Sequence, residues 1–186
     1  MIETDNKQIS GLGELSAPLK VYLDNRPPLE QYQSLVTMQP MVTEEISDIG
    51  RLTGNHWRKI FNVYAKLCFE LAPKHFHSWQ ELRDRALLQK GSEQALLFNQ
   101  PSFNHIFDAA NDANTTDIHI IMGRTYAARL VQPLPFSQHL LWLDKDFAIN
   151  PKKRLIICPY FDYRQLSNVK ITQLVKLIKT LQKKHS

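Results

Sequence analysis

The run Ile118-His119-Ile120-Ile121-Met122 stops at Gly123 and passes directly into Arg124-Thr125-Tyr126-Ala127-Ala128-Arg129-Leu130. β-Branched residues favour a strand, glycine permits the sharp turn, and the alanines favour a helix. This join restricts the chain to architectures in which buried strands feed helices. An unbroken apolar run, rather than an alternating one, belongs to a strand covered on both faces. In open sheets of that kind, ligands sit at the carboxyl ends of the strands, against helix N-termini.

The rest of the chain repeats the theme. Strands are expected at Lys20–Leu23, Gln94–Phe98, Ile118–Met122 and Arg154–Pro159, with Gln138–Leu143 as an edge strand. Helical spacing runs from Thr43, as a cap, through Ile46, Ile49 and Leu52. It resumes from Asn55 through Trp57, Ile60, Phe61, Tyr64, Leu67, Cys68 and Leu71, up to Pro73. Ser78 with Glu81 forms a capping box, in which Glu81 reaches back to the Ser78 amide and a helix continues to Lys90 before Gly91. Phe103–Ala113 reads as a short helix, so that the Gln94 and Ile118 strands make a right-handed βαβ unit with parallel strands. Asp144 to Lys153 reads as a turn and a basic corner. Ser167 or Asn168 caps the last helix, whose apolar side is Ile171, Leu174, Val175, Ile178 and Leu181. The expected fold is α/β: a three-layer α/β/α sandwich around a central, mostly parallel sheet. Residues 1–18 are expected to be a flexible arm and residues 19–186 a single domain.

Composition narrows the function classes. With 43% hydrophobic residues in 186, and no apolar run of the length a bilayer demands, the expectation is a soluble protein without membrane partners. Met1 to Ser16 lacks the basic and apolar regions of a signal peptide, so a cytoplasmic location is expected, with Cys68 and Cys158 as buried thiols. His75 and His77 have metal-ligand spacing, but no further ligands complete the set, and neither a metal nor a cofactor is expected. No phosphate loop or dinucleotide fingerprint occurs.

Candidate site residues follow the strands. Asp24-Asn25-Arg26-Pro27-Pro28 follows the first, Asn99 the second, Gly123 and Arg124 the third, and a loop carrying Asp162, Tyr163 and Arg164 the last. The candidate ligand set is Asn25, Arg26, Asn99, Gly123, Arg124, Asp162, Tyr163 and Arg164. Asn99 offers a donor and an acceptor and Arg124 a fixed fork of donors, which together suit a ligand with an amide-like edge and an anionic group. The start of the helix at Asn55, with His56, Arg58 and Lys59, is a second place that could hold an anion. Three readings stand side by side. One is a binding module for a nucleotide, a base or a phosphate-bearing ligand. Another is a small hydrolase using Asp162 or Asp24, and the third is a protein–protein interaction domain. A net charge of +5 also permits weak, sequence-insensitive nucleic-acid binding, for which the lysines of the last helix are the available cations. Oligomeric state is left open.

The strand ends also resemble those of the uracil-DNA glycosylase superfamily. Val21 to Pro28 resembles that family's first strand and Gly-Gln-Asp-Pro-Tyr loop, Leu96-Leu97-Phe98-Asn99 its Leu-Leu-Leu-Asn strand end, and Ile120 to Ala127 its later strand and glycine. Tyr160 to Asn168 lies where the His-Pro-Ser loop would lie. The resemblance implies a three-layer sandwich around a parallel sheet. It does not carry the activity with it: Arg26 stands where the family has its water-activating carboxylate, and the His-Pro-Ser triplet is absent. The chain as a whole also resembles small uncharacterised bacterial protein families.

Overall fold

A computed structural model describes residues 9–98, 116–132 and 135–183. It is an α/β structure with an eight-stranded, mixed, mostly parallel sheet and, among the described residues, six α-helices. The strands are β1 (Ser10–Gly13), β2 (Leu19–Leu23), β3 (Met38–Gln39), β4 (Gln94–Phe98), β5 (Ile118–Met122), β6 (Leu141–Trp142), β7 (Ala148–Asn150) and β8 (Leu155–Cys158). The helices are α1 (Glu30–Gln33), α2 (Glu45–Thr53), α3 (Asn55–Leu71), α4 (Trp79–Arg85), α5 (Arg124–Val131) and α6 (Asn168–Lys183).

The sheet order is β3-β1-β4-β2-β5-β8-β7-β6. The four central strands, β4, β2, β5 and β8, are mutually parallel, while β7 pairs antiparallel with β8 and β6 antiparallel with β7. Residues on the two faces of one strand go to different apolar clusters, as a period of two requires. Val21, Leu23, Ile120 and Met122 join a cluster with α2, α3, α4 and α6, while Tyr22 and Ile121 join one with Tyr126, Ala127, Leu130 and Val131 of α5. That division explains why all five residues of β2, and all five of β5, are buried. The central helix α3 is tied to the sheet by a buried phenol, since Tyr64 donates to the carbonyl of Ala95 at 3.0 Å.

Several expectations need correction. Ser10–Gly13, within the expected arm, form β1, antiparallel to β4 and parallel to β3. The Gln94 and Ile118 strands are parallel but not adjacent, because β2 lies between them. The helix expected at Phe103–Ala113 lies outside the described residues. β7 appears within the supposed basic corner. Its three residues pair with β8, and Asp144 Oδ1 accepts the amides of Asp146 and Phe147 at 2.7 and 2.8 Å to set the turn before it. The edge strand expected at Gln138–Leu143 shrinks to Leu141–Trp142.

Helix ends differ too. α2 is capped at Glu44, which has a positive φ of 73°, and not by Thr43. α4 stops at Arg85 rather than Lys90, because the chain turns to bury both Leu87 and Leu88, the latter at φ 60°. Two consecutive leucines on a helix point about 100° apart, so burying both outweighs continuing it. The Ser78 cap is present, with Ser78 Oγ accepting from the Glu81 amide at 3.2 Å, but Glu81 reaches the His77 amide instead of that of Ser78. Ser78→Ala is expected to cost about 1 kcal/mol in urea denaturation without changing the m-value. A cost near zero would mean that the His77 contact carries the cap alone.

Both cysteines are free and buried, and burial pushes both thiols well above their ordinary range. Beneath α5 lies a polar group set in the same apolar layer. Lys20 donates to Asp117 at 2.5 Å and to the Ala17 carbonyl at 2.7 Å, and the Tyr22 hydroxyl meets His119 Nδ1 at 2.7 Å. No helix among the described residues is long and apolar enough to cross a membrane.

Candidate functional site

Because β2, β5 and β8 are parallel and in register, with Tyr22 opposite Ile121 and Met122 opposite Cys158, the residues that follow them gather at one edge of the sheet. Asp24 and Asn25 leave β2, Gly123 leaves β5, and Pro159 and Tyr160 leave β8. Between them opens a cleft of about 570 Å³. Gly123 has φ 94°, and a Cβ there would meet the Tyr160 ring at 3.4 Å, so both backbone angle and space favour glycine. The Gly123 amide donates to the Cys158 carbonyl at 2.9 Å, which pins the turn between the two strands. α5 therefore begins in the cleft. Its first-turn amides have no intrahelical acceptor, and its N-terminus favours negative charge.

Side chains from five segments complete the walls. Arg129 pairs with Asp24 and Lys170 pairs with Asp146 at 2.9 Å, so two cations and two carboxylates neutralise one another. Arg124 is different. Its guanidinium donates to the Lys145 carbonyl at 2.9 Å and lies 5.1 Å from the Trp142 ring centre, and among the described residues it pairs with no carboxylate. The net charge of the five ionic side chains is thus +1, supplied by Arg124. Tyr126, two residues further on, is 6% exposed, and its buried hydroxyl has no hydrogen-bond partner among the described residues. Burial first, then the charge of Asp24, raises the Tyr126 phenol above its ordinary value against the opposing pull of Arg129, so it remains a protonated donor.

A second cleft, of about 620 Å³, shares Asp24 and Asn25 with the first and is closed by Arg26, Gln33, His56 and Trp57. Tyr160 lies at the division between the two: Asn25 Nδ2 donates to its hydroxyl at 3.2 Å, and the same hydroxyl meets His56 Nε2 at 3.2 Å. A third cleft, of about 310 Å³, lies along α3 and includes Tyr163.

The sequence-derived candidates divide accordingly. Asn25, Gly123 and Arg124 come together in the strand-end cleft. Arg26 lines the neighbouring cleft, where its guanidinium donates to the carbonyls of Tyr32, Gln33 and Leu35 and to Ser10 Oγ. It holds the C-terminal end of α1 and the start of β1. Asp162 and Arg164 line none of these three clefts. Asp162 accepts from Lys59 at 2.9 Å and from the Arg164 amide at 2.9 Å. Its burial would raise the carboxyl, but the Arg164 amide and Lys59 outweigh that and lower it. Asn99 lies outside the described residues. Sequence reasoning missed Tyr126, Arg129, Asp146 and Lys170. Tyr126 and Arg129 could have been found, since they follow Gly123 at helical spacing. Asp146 and Lys170 could not, because only tertiary packing brings them to the cleft. Among the described residues, no three His, Cys, Asp or Glu side chains cluster as metal ligands would.

Fold and cleft together define an α/β protein with a polar, singly charged depression at its strand ends. The chain belongs to a family of unknown function, DUF6942, whose model matches residues 10–179. Neither the curated proteins nor the solved structures contain a significant match to it.

Proposed function

We propose that the protein binds a small anionic ligand with a planar polar edge, of the nucleotide, base or phosphate-ester class, in the cleft at the carboxyl ends of β2, β5 and β8. This reading takes the molecule as a three-layer α/β/α sandwich, cytoplasmic in keeping with its two buried free thiols, and takes the strand ends as its working edge. The observation that carries it is Arg124 at the first turn of α5, a cation in the cleft with no carboxylate partner among the described residues, beside Tyr126, a lining residue whose buried hydroxyl has no acceptor among them. Leaving such a hydroxyl unsatisfied costs about 1–3 kcal/mol, and a ligand oxygen that the Tyr126 side chain turns to meet would recover that. Arg124 and the α5 amides supply the complementary charge. With one net positive charge, the site suits a ligand of low charge rather than a polyanion.

The hydrolase reading has less support, because Asp24 is paired with Arg129 and Asp162 with Lys59, and a carboxylate held by a cation is a poor base. The glycosylase resemblance, as a fold-level likeness, carries no chemistry for the same kind of reason: Arg26 is committed to four acceptors, and Phe161, in the loop compared with His-Pro-Ser, is fully buried. A thermal-shift screen of nucleotides, free bases and inorganic phosphate tests the proposal. A ligand at a hundred times its Kd should raise the melting temperature of the wild type by about 5–10 °C. Arg124→Ala and Tyr126→Phe should each lose most of that shift. Equal stabilisation of all three proteins would place the ligand elsewhere.

A further inference from the structure

The exposed side of α3 carries a site of a different character. Arg58, Lys59, Asn62 and Lys66 fall at helical spacing on one stripe, and the third cleft opens along it, walled by Trp79 of α4 on one side and Tyr163 on the other. The charged residues lining this cleft are three cations, with no acid among them. Lys59 is paired with Asp162 at the rim. Arg58 and Lys66 have no carboxylate partner among the described residues. Arg58 donates to Asn55 Oδ1 at 3.2 Å and to the Gly50 carbonyl at 3.3 Å, and Lys66 donates to Asn168 Oδ1 at 3.4 Å.

Both lysines lie over aromatic rings. Lys66 Nζ lies 5.3 Å from the Trp79 ring centre, and Lys59 Nζ lies 4.9 Å from that of Tyr163. Tyr163 is 54% exposed, a large aromatic surface left in water beside a cationic groove. Unpaired cations attract phosphates, and aromatic faces stack bases without regard to sequence; together they are the two components of single-strand recognition. Lys59 is kept at the Tyr163 ring by its ion pair with Asp162, and the Arg164 guanidinium lies 5.9 Å from the same ring centre, whereas Lys66 has only its ring and Asn168 contacts and a flexible stem that can turn towards a phosphate.

We propose that this α3 groove is a contact site for single-stranded nucleic acid, with a base stacked at Tyr163 and phosphates held by Arg58 and Lys66. The site shares no lining residue with the strand-end cleft, and the proposal stands independently of the function argued above.

Fluorescence anisotropy with a labelled oligo-thymidine, at several salt concentrations, provides the test. The full chain is expected to bind with an affinity that falls steeply with salt. Tyr163→Ala should weaken binding by about five- to a hundredfold. Arg58→Gln combined with Lys66→Gln should reduce the salt slope by about 1.4, the value for two phosphates on a single strand. Neutralising Lys176, Lys179 and Lys183 of α6 should leave binding as in the wild type. The proposal is overturned if the full chain does not bind at low salt, or if the Tyr163 and the Arg58/Lys66 variants bind as the wild type does. Competition by poly-glutamate as effective as that by unlabelled oligonucleotide would also overturn it, since charge alone would then explain the binding.

Discussion

Gly11→Ala is expected to destabilise the protein by about 3 kcal/mol and to lower its melting temperature by roughly 6–12 °C. Gly11 pairs with Leu97 where β1 runs antiparallel to β4, and a Cβ at this position would stand 2.9 Å from the Leu97 Cα and closer still to the Leu96 carbonyl oxygen. Both obstacles are backbone, so no side chain can swing aside. The two strands must separate locally, which weakens the pairing of β1 with both β4 and β3 and uncovers Leu12, a fully buried residue. Thermal melting together with hydrogen exchange of the β1 amides checks this. A variant that melts within about 2 °C of the wild type and keeps its β1 protection would mean that the strand contributes little to the sheet.

A second large effect concerns pH. His119 is 6% exposed, and burial first, then the charges of Lys20 and Arg154, lowers its pKa from an ordinary 6.5 to about 3. The neighbouring Tyr22 phenol stays protonated, raised by burial and then by the charge of Asp117. The unfolded chain therefore takes up a proton on His119 below about pH 6.5 while the folded protein does not. Stability that is present above that value is lost as the pH falls towards the folded pKa, at up to ~1.4 kcal/mol per pH unit. Between pH 7 and pH 5 the loss should be about 2 kcal/mol, a window in which most carboxylates remain ionised. Urea denaturation at the two pH values, for the wild type and for His119→Gln, separates this from other causes: the variant should lose most of the difference. An unchanged difference in the variant would assign the pH dependence to another group.

The charge pairs give the two clefts distinct capacities. In the strand-end cleft, Asp24 and Asp146 cancel Arg129 and Lys170, leaving the charge of Arg124. Along α3, only one of the three lining cations has a carboxylate partner among the described residues. If both proposals hold, a small monovalent group and a polyanion are drawn to different places on the same molecule.

Much of this architecture was legible in the chain. β2, β4, β5 and β8 coincide with the expected apolar runs to within a residue or two. α3 and α6 coincide with the expected helical spacing, and the turn at Gly123 lies at the sheet edge where the cleft opens. These features depend on residues close in sequence: side-chain branching, period and backbone freedom act over a few positions, so a local reading captures them. The order of the strands does not have that property. Placing β2 between β4 and β5, folding Ser10–Gly13 into the sheet, and adding β7 as a three-residue antiparallel strand all depend on distant partners, and three residues carry no period to detect. The site divides in the same way. Asn25, Gly123 and Arg124 could be named because they end strands or begin a helix. Arg26 and Asp162 were named for their chemistry, and packing gave them carbonyl and lysine partners outside the strand-end cleft. The Lys170–Asp146 pair and the orphaned Tyr126 hydroxyl were decided by tertiary structure alone, because whether a polar group finds a partner is a property of the packed interior and not of the residues beside it in the chain.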